Sequence, residues 1–183
     1  MLDTSDPALV RRTRAGEVQA FGGLVQRYQQ SVFGVCYRLL GDRAEAEDLT
    51  QEAFIRAYQR LDSFDLSRPF GPWMRRLAAN VCVNHLQLRR QIHLPLDDEL
   101  EASAETPSTG DPSAELESAQ QSEAIRAALL RLPPHYRAVV ELRHFQELSY
   151  AEIAAELGLP VSDVKSHLFR ARRLLAQHLA STL

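Results

Sequence analysis

Apolar residues recur at intervals of three and four along most of this chain, and nowhere do they alternate in the period of two that marks a strand. From Glu17 to Leu40, the positions Val18, Phe21, Val25, Tyr28, Val32, Val35 and Leu39 form one seam, the spacing of a helix that packs on its partners at a shallow angle. Gly22 and Gly23 sit inside it where a neighbour must come close, and Gly41 ends it. Ahead of this seam, Asp6-Pro7 is expected to cap and start a short helix that Gly16 closes. Behind it, Asp42 caps a third helix running to about Leu61, with Glu45 at the capping-box position and Leu49, Ala53, Ala57 and Leu61 on the core side. A fourth helix is predicted from about Phe70 to Gln91. Pro72 is tolerated there because it lies in the first turn, and Trp73, Leu77, Val81 and Leu88 supply the apolar anchors.

The pattern then lapses. Residues 92–121 are rich in Pro, Ser, Thr and acid and hold almost no large apolar residue besides Leu, the composition of a flexible linker rather than a domain. A helix is predicted to emerge from it at roughly Ser113 and to run to Arg131. After a break at Pro133-Pro134, another runs from Pro134 to about Gln146. Two short helices follow. Ser149 caps the first, with Glu152 completing a capping box, and Gly158 and Pro160 end it. Ser162 is expected to cap the second, with Asp163 in its first turn where the helix dipole favours an acid. Val164, Leu168, Ala171 and Leu175 share its packing side, and Ser166, Arg170, Arg173 and Gln177 lie opposite, flanked by Lys165 and His167. The expected fold is all-α: two small helical domains, 1–91 and 122–183, joined by an acidic flexible linker at 92–121.

Charge changes the picture only when divided. The formal net charge of −3 suits a nucleic-acid binder poorly, yet residues 91–122 carry eight acids and no Lys or Arg. Residues 1–90 carry 13 bases against 10 acids, and residues 123–183 carry eight against six, so the two predicted domains are each mildly basic. A helix-turn-helix puts its second helix into the DNA major groove, so the half-cylinder bearing Lys165, Arg170 and Arg173 points to duplex DNA. On the fourth helix, Arg75, Arg76, Asn80 and Asn84 lie beside aromatics, as single strands require: flat faces for unstacked bases, amides for their edges and charge for phosphates. On the third, Glu45, Asp48 and Glu52 form an acidic row that either faces solvent or docks a partner.

Catalysis is not supported. The chain has no Gly-rich phosphate loop, no nucleophile elbow and no HExxH, and none of its six scattered histidines sits beside a plausible Ser or Cys nucleophile in one element. Cys36 and Cys82 fall among apolar residues, as buried free thiols in a reducing cytoplasm do. Cys82 and His85 could share a metal, but only His93 lies near as a third ligand and no fourth is evident, so no metal or other cofactor is expected. The N-terminus lacks a signal peptide's pattern, no apolar run is long enough to span a membrane, and the expected location is cytoplasmic.

Taken in order, DRAEAEDLTQEAFIRAYQRLDSF, PFGPWMRRLAANVCVNHL, the acidic segment and LPPHYRAVVELRHFQELSYAEIAAELGLPVSDVKSHLFRARRLL closely resemble the extracytoplasmic-function group of bacterial sigma factors. The resemblance covers nearly the whole chain. It implies two helical domains, sigma region two and sigma region four, and partners in core RNA polymerase (β′ clamp helices and β flap), promoter DNA both double-stranded and melted, and an anti-sigma factor. By position it implies that Asp48, Leu49, Gln51, Glu52 and Phe54 meet the clamp helices. Arg76, Asn80 and Asn84, with the turn from Phe64 to Phe70, would read the melted minus-ten element. Arg143, Lys165, Ser166 and Arg170, with Arg173 on the same basic side, would meet the minus-thirty-five duplex. The linker would thread the polymerase's basic channels. Ser162-Asp163 departs from the usual Gly-Thr, His167 stands where Arg is common, and Arg68-Pro69 and Pro72 alter the loop before the tryptophan. The rival reading is a stand-alone homodimeric helix-turn-helix regulator that uses residues 1–90 to dimerise.

Overall fold

The computed structural model describes residues 4–92 and 123–180, and every regular element among them is helical. The linker expected at 92–121 lies outside the described residues apart from position 92, the last of the fourth helix. The helix start expected at Ser113 lies outside them as well.

Four helices make the first half: α1 (Asp6–Arg14), α2 (Val18–Leu40), α3 (Arg43–Gln59) and α4 (Phe70–Ile92), with a single 3₁₀ turn at Leu61–Ser63. The α1 cap is Ser5, one residue before the expected Asp6. Asp6 is free to do something else, receiving hydrogen bonds from Arg27 and Tyr28 of α2 and tying the two helices together. Burial and that bond to Asp6 push the Tyr28 phenol up to about 12. Leu9 of α1 lies against Gly23 so closely that a Cβ there would stand 3.2 Å from its Cδ1, which is the close approach the glycine pair predicts. Gly41 ends α2 in the left-handed conformation at φ 78°. The side chain of Asp42 then accepts from the Glu45 N–H at 2.8 Å to start α3.

The core of this half runs along Phe21, Leu24, Val32, Val35 and Leu39 of α2, Leu49, Ala53 and Ala57 of α3, and Phe70, Met74, Leu77 and Val81 of α4. Two expected core positions are on the surface instead: Val18, at the first turn of α2, and Leu88, in the last turns of α4. Cys36 and Cys82 are buried together between α2 and α4. The Cys82 thiol is pushed well up by its hydrogen bond to Cys36 and by burial.

The second half holds α5 (described over 123–130), α6 (Pro134–Val140), α7 (Tyr150–Leu157) and α8 (Val161–Ala180). The helix expected to run from Pro134 to Gln146 is α-helical only to Val140. It continues as a π turn over Glu141–Phe145, closed by the Gln146 N–H donating to the Glu141 carbonyl at 3.1 Å. The helix-turn-helix follows its sequence signals closely at α7, with the Ser149–Glu152 capping box formed and Gly158 left-handed at φ 64°. It departs from them at α8. That helix begins at Val161, and its first amides, at Asp163 and Val164, donate to the Pro160 carbonyl. Ser162 is inside the helix and bonds Asp163 rather than capping.

The two halves touch. One apolar cluster runs from Leu9 and Leu24 through Ala138 and Val139 to Ile153 and Leu168, so α6 and the π turn pack on α2 and α4. At this seam Arg38 of α2 gives a two-pronged hydrogen bond to Glu141, at 2.8 and 2.9 Å, and its guanidinium lies 4.3 Å over the Phe145 ring. Glu141 is only 3 % exposed and also accepts from Gln146 at 3.0 Å, so the buried carboxylate is fully engaged. Arg137 fares differently. It is 8 % exposed beside Gly41, its Nε meets no acceptor among the described residues, and burial lowers its pKa to about 10.

Candidate nucleic-acid interface

The helical period puts Arg76, Asn80 and Asn84 on one stripe of α4, at i, i+4 and i+8. With Arg56 and Arg60 from the end of α3, and with Trp73, they line a cavity of about 440 Å³. Three guanidiniums, two amides and an indole make a wall suited to an anion with a planar group attached. Glu156 of α7 closes one side. Its Oε1 accepts from Arg76 Nε at 3.0 Å and Nη2 at 2.6 Å, and its Oε2 accepts from Asn80 Nδ2 at 2.6 Å. Asn84 is exposed and takes no part in that clasp.

Phe64, expected to offer a stacking face here, is instead buried at 6 % exposure. Its ring lies 5.5 Å from Phe70 and 4.9 Å from Trp73, in an aromatic cluster that anchors the loop before α4. Arg14 Nη2 donates to the Leu61 carbonyl at 2.6 Å and also to that of Phe64, pinning the loop from the α1 side. Trp73 remains half-buried at the cavity edge, so it is the aromatic that retains an exposed part.

On α8, Val164, Leu168 and Ala171 are buried against α6 and Leu175 is half-buried, which leaves Lys165, Ser166, Arg170 and Arg173 exposed. Phe169 stands among them at 69 % exposure, an apolar ring held in water by the helix phase. Sequence reasoning passed over Phe169, although its place four residues after Lys165 and three after Ser166 puts it on the same side. Arg143 is set apart from this row. Its Nη1 donates to the Leu148 carbonyl at 2.9 Å and its guanidinium lies 5.1 Å over the Tyr150 ring, so it shapes the turn into α7. His167 packs inward, with its ring 5.4 Å from Tyr136 and 5.3 Å from His135.

On α3, Asp48 and Gln51 are exposed and Glu52 is half-exposed beside Arg56. Leu49 and Phe54, expected in the same docking row, are buried and fasten α3 to the core. The outward stripe is completed by Ile55, 58 % exposed, and Tyr58, 43 % exposed, which the acidic pattern had hidden. Glu45 turns away from the row to meet Arg89 of α4 at 2.6 Å, which relieves the like-charge repulsion. No group of three or more His, Cys, Asp or Glu side chains among the described residues is placed to hold a metal ion, and no helix among them is long and apolar enough to cross a membrane.

Comparison with known proteins accounts for both halves. Residues 24–91 match the family model for sigma-70 region 2, and residues 122–175 match the model for sigma-70 region 4. The chain is 34 % identical over 181 residues to the ECF RNA polymerase sigma factor SigW of Bacillus subtilis (strain 168), covering 93 % of this chain and 94 % of that protein. It is 37 % identical over 180 residues to the ECF RNA polymerase sigma-E factor of Escherichia coli (strain K12), covering 93 % and 92 %. Among solved structures, CnrH in complex with the cytosolic domain of CnrY is similar at 28 % identity and a TM-score of 0.53, over 98 % of this chain and 99 % of that one. With both regions matched in order and such relatives aligned over nearly their full length, the chain belongs to the extracytoplasmic-function sigma factors of RNA polymerase.

Proposed function

We propose that the outward stripe of α3 docks on the β′ clamp helices of core RNA polymerase, that the α4 stripe reads the melted minus-ten element, and that α8 reads the minus-thirty-five duplex, with the β flap as the second polymerase contact. The observation that carries this is the separation of three polar stripes, each of its own chemistry, on three helices of one chain. Asp48, Gln51, Glu52, Ile55 and Tyr58 combine acid and apolar surface, as a protein partner requires. Arg76, Asn80 and Asn84 offer donors to phosphates and base edges. Lys165, Ser166, Arg170 and Arg173 lie on the basic side of a helix-turn-helix, with Phe169 placed to meet a thymine methyl.

In this reading domain 1–91 carries polymerase binding and minus-ten recognition, 122–183 carries minus-thirty-five recognition, and 92–121 connects them. Each half binds weakly, and tethering through polymerase raises the effective concentration of the second contact. The protein does no bond chemistry of its own and works in the cytoplasm, where an anti-sigma factor holds it in check. The solved complex of CnrH with the cytosolic domain of CnrY supports a protein partner besides polymerase.

Run-off transcription with purified core polymerase tests the proposal. Added to core enzyme, the chain is expected to start transcripts at a discrete site of its own promoter, and the pair Asp48→Arg and Glu52→Arg is expected to abolish this together with core association. Failure of the unmodified chain to associate with core polymerase, with any inhibitor removed, would defeat the proposal and favour a homodimeric regulator.

A further inference from the structure

One wall of the cavity on α4 is supplied by another part of the same chain. The Glu156 carboxylate accepts three N–H groups there, two from Arg76 and one from Asn80, at 2.6 to 3.0 Å. Glu152, one turn earlier on α7, places a second acid 3.7 Å from Arg76. These are the bonds that a phosphate or a base edge would take from the same donors. Asn80 and Glu156 are 76 residues apart in sequence, so the arrangement belongs to the way the halves close and not to local chain geometry.

We propose that the free chain adopts a self-blocked closed form in which Glu156 stands in for nucleic acid on Arg76 and Asn80, so that the melted strand and α7 compete for one set of donors. The proposal rests on the reading of the α4 stripe as the strand-binding surface. It explains why a strongly polar pocket is covered by an acid from a helix-turn-helix whose own task is to read duplex DNA. It also accounts for the balance of forces at the seam. Arg38 with Glu141, backed by Phe145 and Gln146, holds the closed form from the other side of α6. Arg137 opposes it, because a guanidinium buried beside Gly41, with no acceptor for Nε among the described residues, regains water when the seam parts. The clasp itself lies at the rim, with the Arg76 side chain 37 % exposed and that of Glu156 22 % exposed, so it is weak enough for a polyanion to displace.

The full-length chain tests this with a fluorescein-labelled single-stranded 12-mer of randomised sequence, measured by anisotropy at low salt. Glu156→Ala is expected to bind about fivefold more tightly than the unmodified chain, with Glu156→Gln between them, since one rim ion pair is worth up to about that much. Glu17→Ala removes an equal charge at the α1–α2 junction and is expected to change nothing. Asn84→Ala added to Glu156→Ala is expected to cancel the gain, because Asn84 lines the cavity without entering the clasp. If Glu156→Ala binds within twofold of the unmodified chain while Asn84→Ala weakens binding, the block is refuted and strand reading survives. Equal gains from Glu156→Ala and Glu17→Ala also refute it, since net charge alone then suffices. If Asn84→Ala has no effect, or no variant binds, strand reading on α4 fails and takes the block with it.

Discussion

The outward faces of α3 and α4 belong to the same bundle and are treated in opposite ways. The α3 stripe, from Asp48 to Tyr58, stays open: Asp48 makes no ion pair among the described residues, and Ile55 holds more than half its surface in water. The α4 stripe is covered, with Arg76 and Asn80 spent on Glu156. The difference teaches that burial and function are arranged separately on each helix. On the proposed reading, the surface for a protein partner is left ready, whereas the donors for a polyanion are neutralised by an acid from within, and the chain is expected to meet its large partner first and nucleic acid second.

The sharpest way to break this comparison is to spoil the open face alone. Asp48→Arg with Glu52→Arg is expected to weaken association with core polymerase at least about a hundredfold, since like charges brought together at an interface cost several kcal/mol. Oligonucleotide binding by the same variant should not fall, and co-sedimentation beside anisotropy measures both. The next largest effect lies at the seam that keeps the second face covered. Arg38→Met leaves a carboxylate that is 3 % exposed with Gln146 as its remaining side-chain donor, and is expected to lower unfolding free energy by about 3 kcal/mol in urea titration. Glu141→Gln strands only Arg38, whose side chain is 25 % exposed and can reach water, and should cost less. Equal losses from the two would show that the pair is not anchored as its burial implies.

The covered face also depends on how α4 lies against α2. A Cβ at Gly71 would stand 2.8 Å from Tyr28 Cε1, so Gly71→Ala must shift a ring that is hydrogen-bonded to Asp6, with an expected cost of about 1–3 kcal/mol by thermal unfolding. The smallest effect belongs to the capping box that starts α7 and so presents Glu156. Ser149→Ala should cost about 1 kcal/mol and raise amide exchange at Glu152. The Glu152 carboxyl is held below its ordinary range by the Ser149 N–H and hydroxyl, so its stabilising effect is complete above that ordinary range. It is lost as pH falls through the lowered value, and in acid the unmodified chain should approach the variant.

What could be read from the sequence was whatever a few neighbouring residues decide. The Ser149–Glu152 box, the left-handed turns at Gly41 and Gly158, and the Gly23 contact each rest on a local rule, and each formed as expected. The start of α8 misled because a serine was weighed as a cap, while the Pro160 carbonyl one turn earlier received the amides. Phe64 misled because an aromatic in a turn looks available until Phe70 and Trp73 are known to enclose it. Leu49 and Phe54 matched a docking motif whose apolar members serve the core, leaving Ile55 and Tyr58 outside. The closure of the halves left no periodic trace, because its partners lie 103 residues apart at Arg38 and Glu141 and 80 apart at Arg76 and Glu156.

The π turn at Glu141–Phe145 carries a consequence for the direction of everything that comes after it. A π turn takes one surplus residue into its wider ring, because its hydrogen bond spans five residues where an α-helical bond spans four. Deleting a single residue from this turn would restore the ordinary bond pattern and leave the direction of the chain beyond it nearly unchanged, whereas a deletion within α6 itself would turn everything downstream by about 100°. The turn is therefore the point along this helix where a change of one residue in length leaves the helix-turn-helix aimed as before.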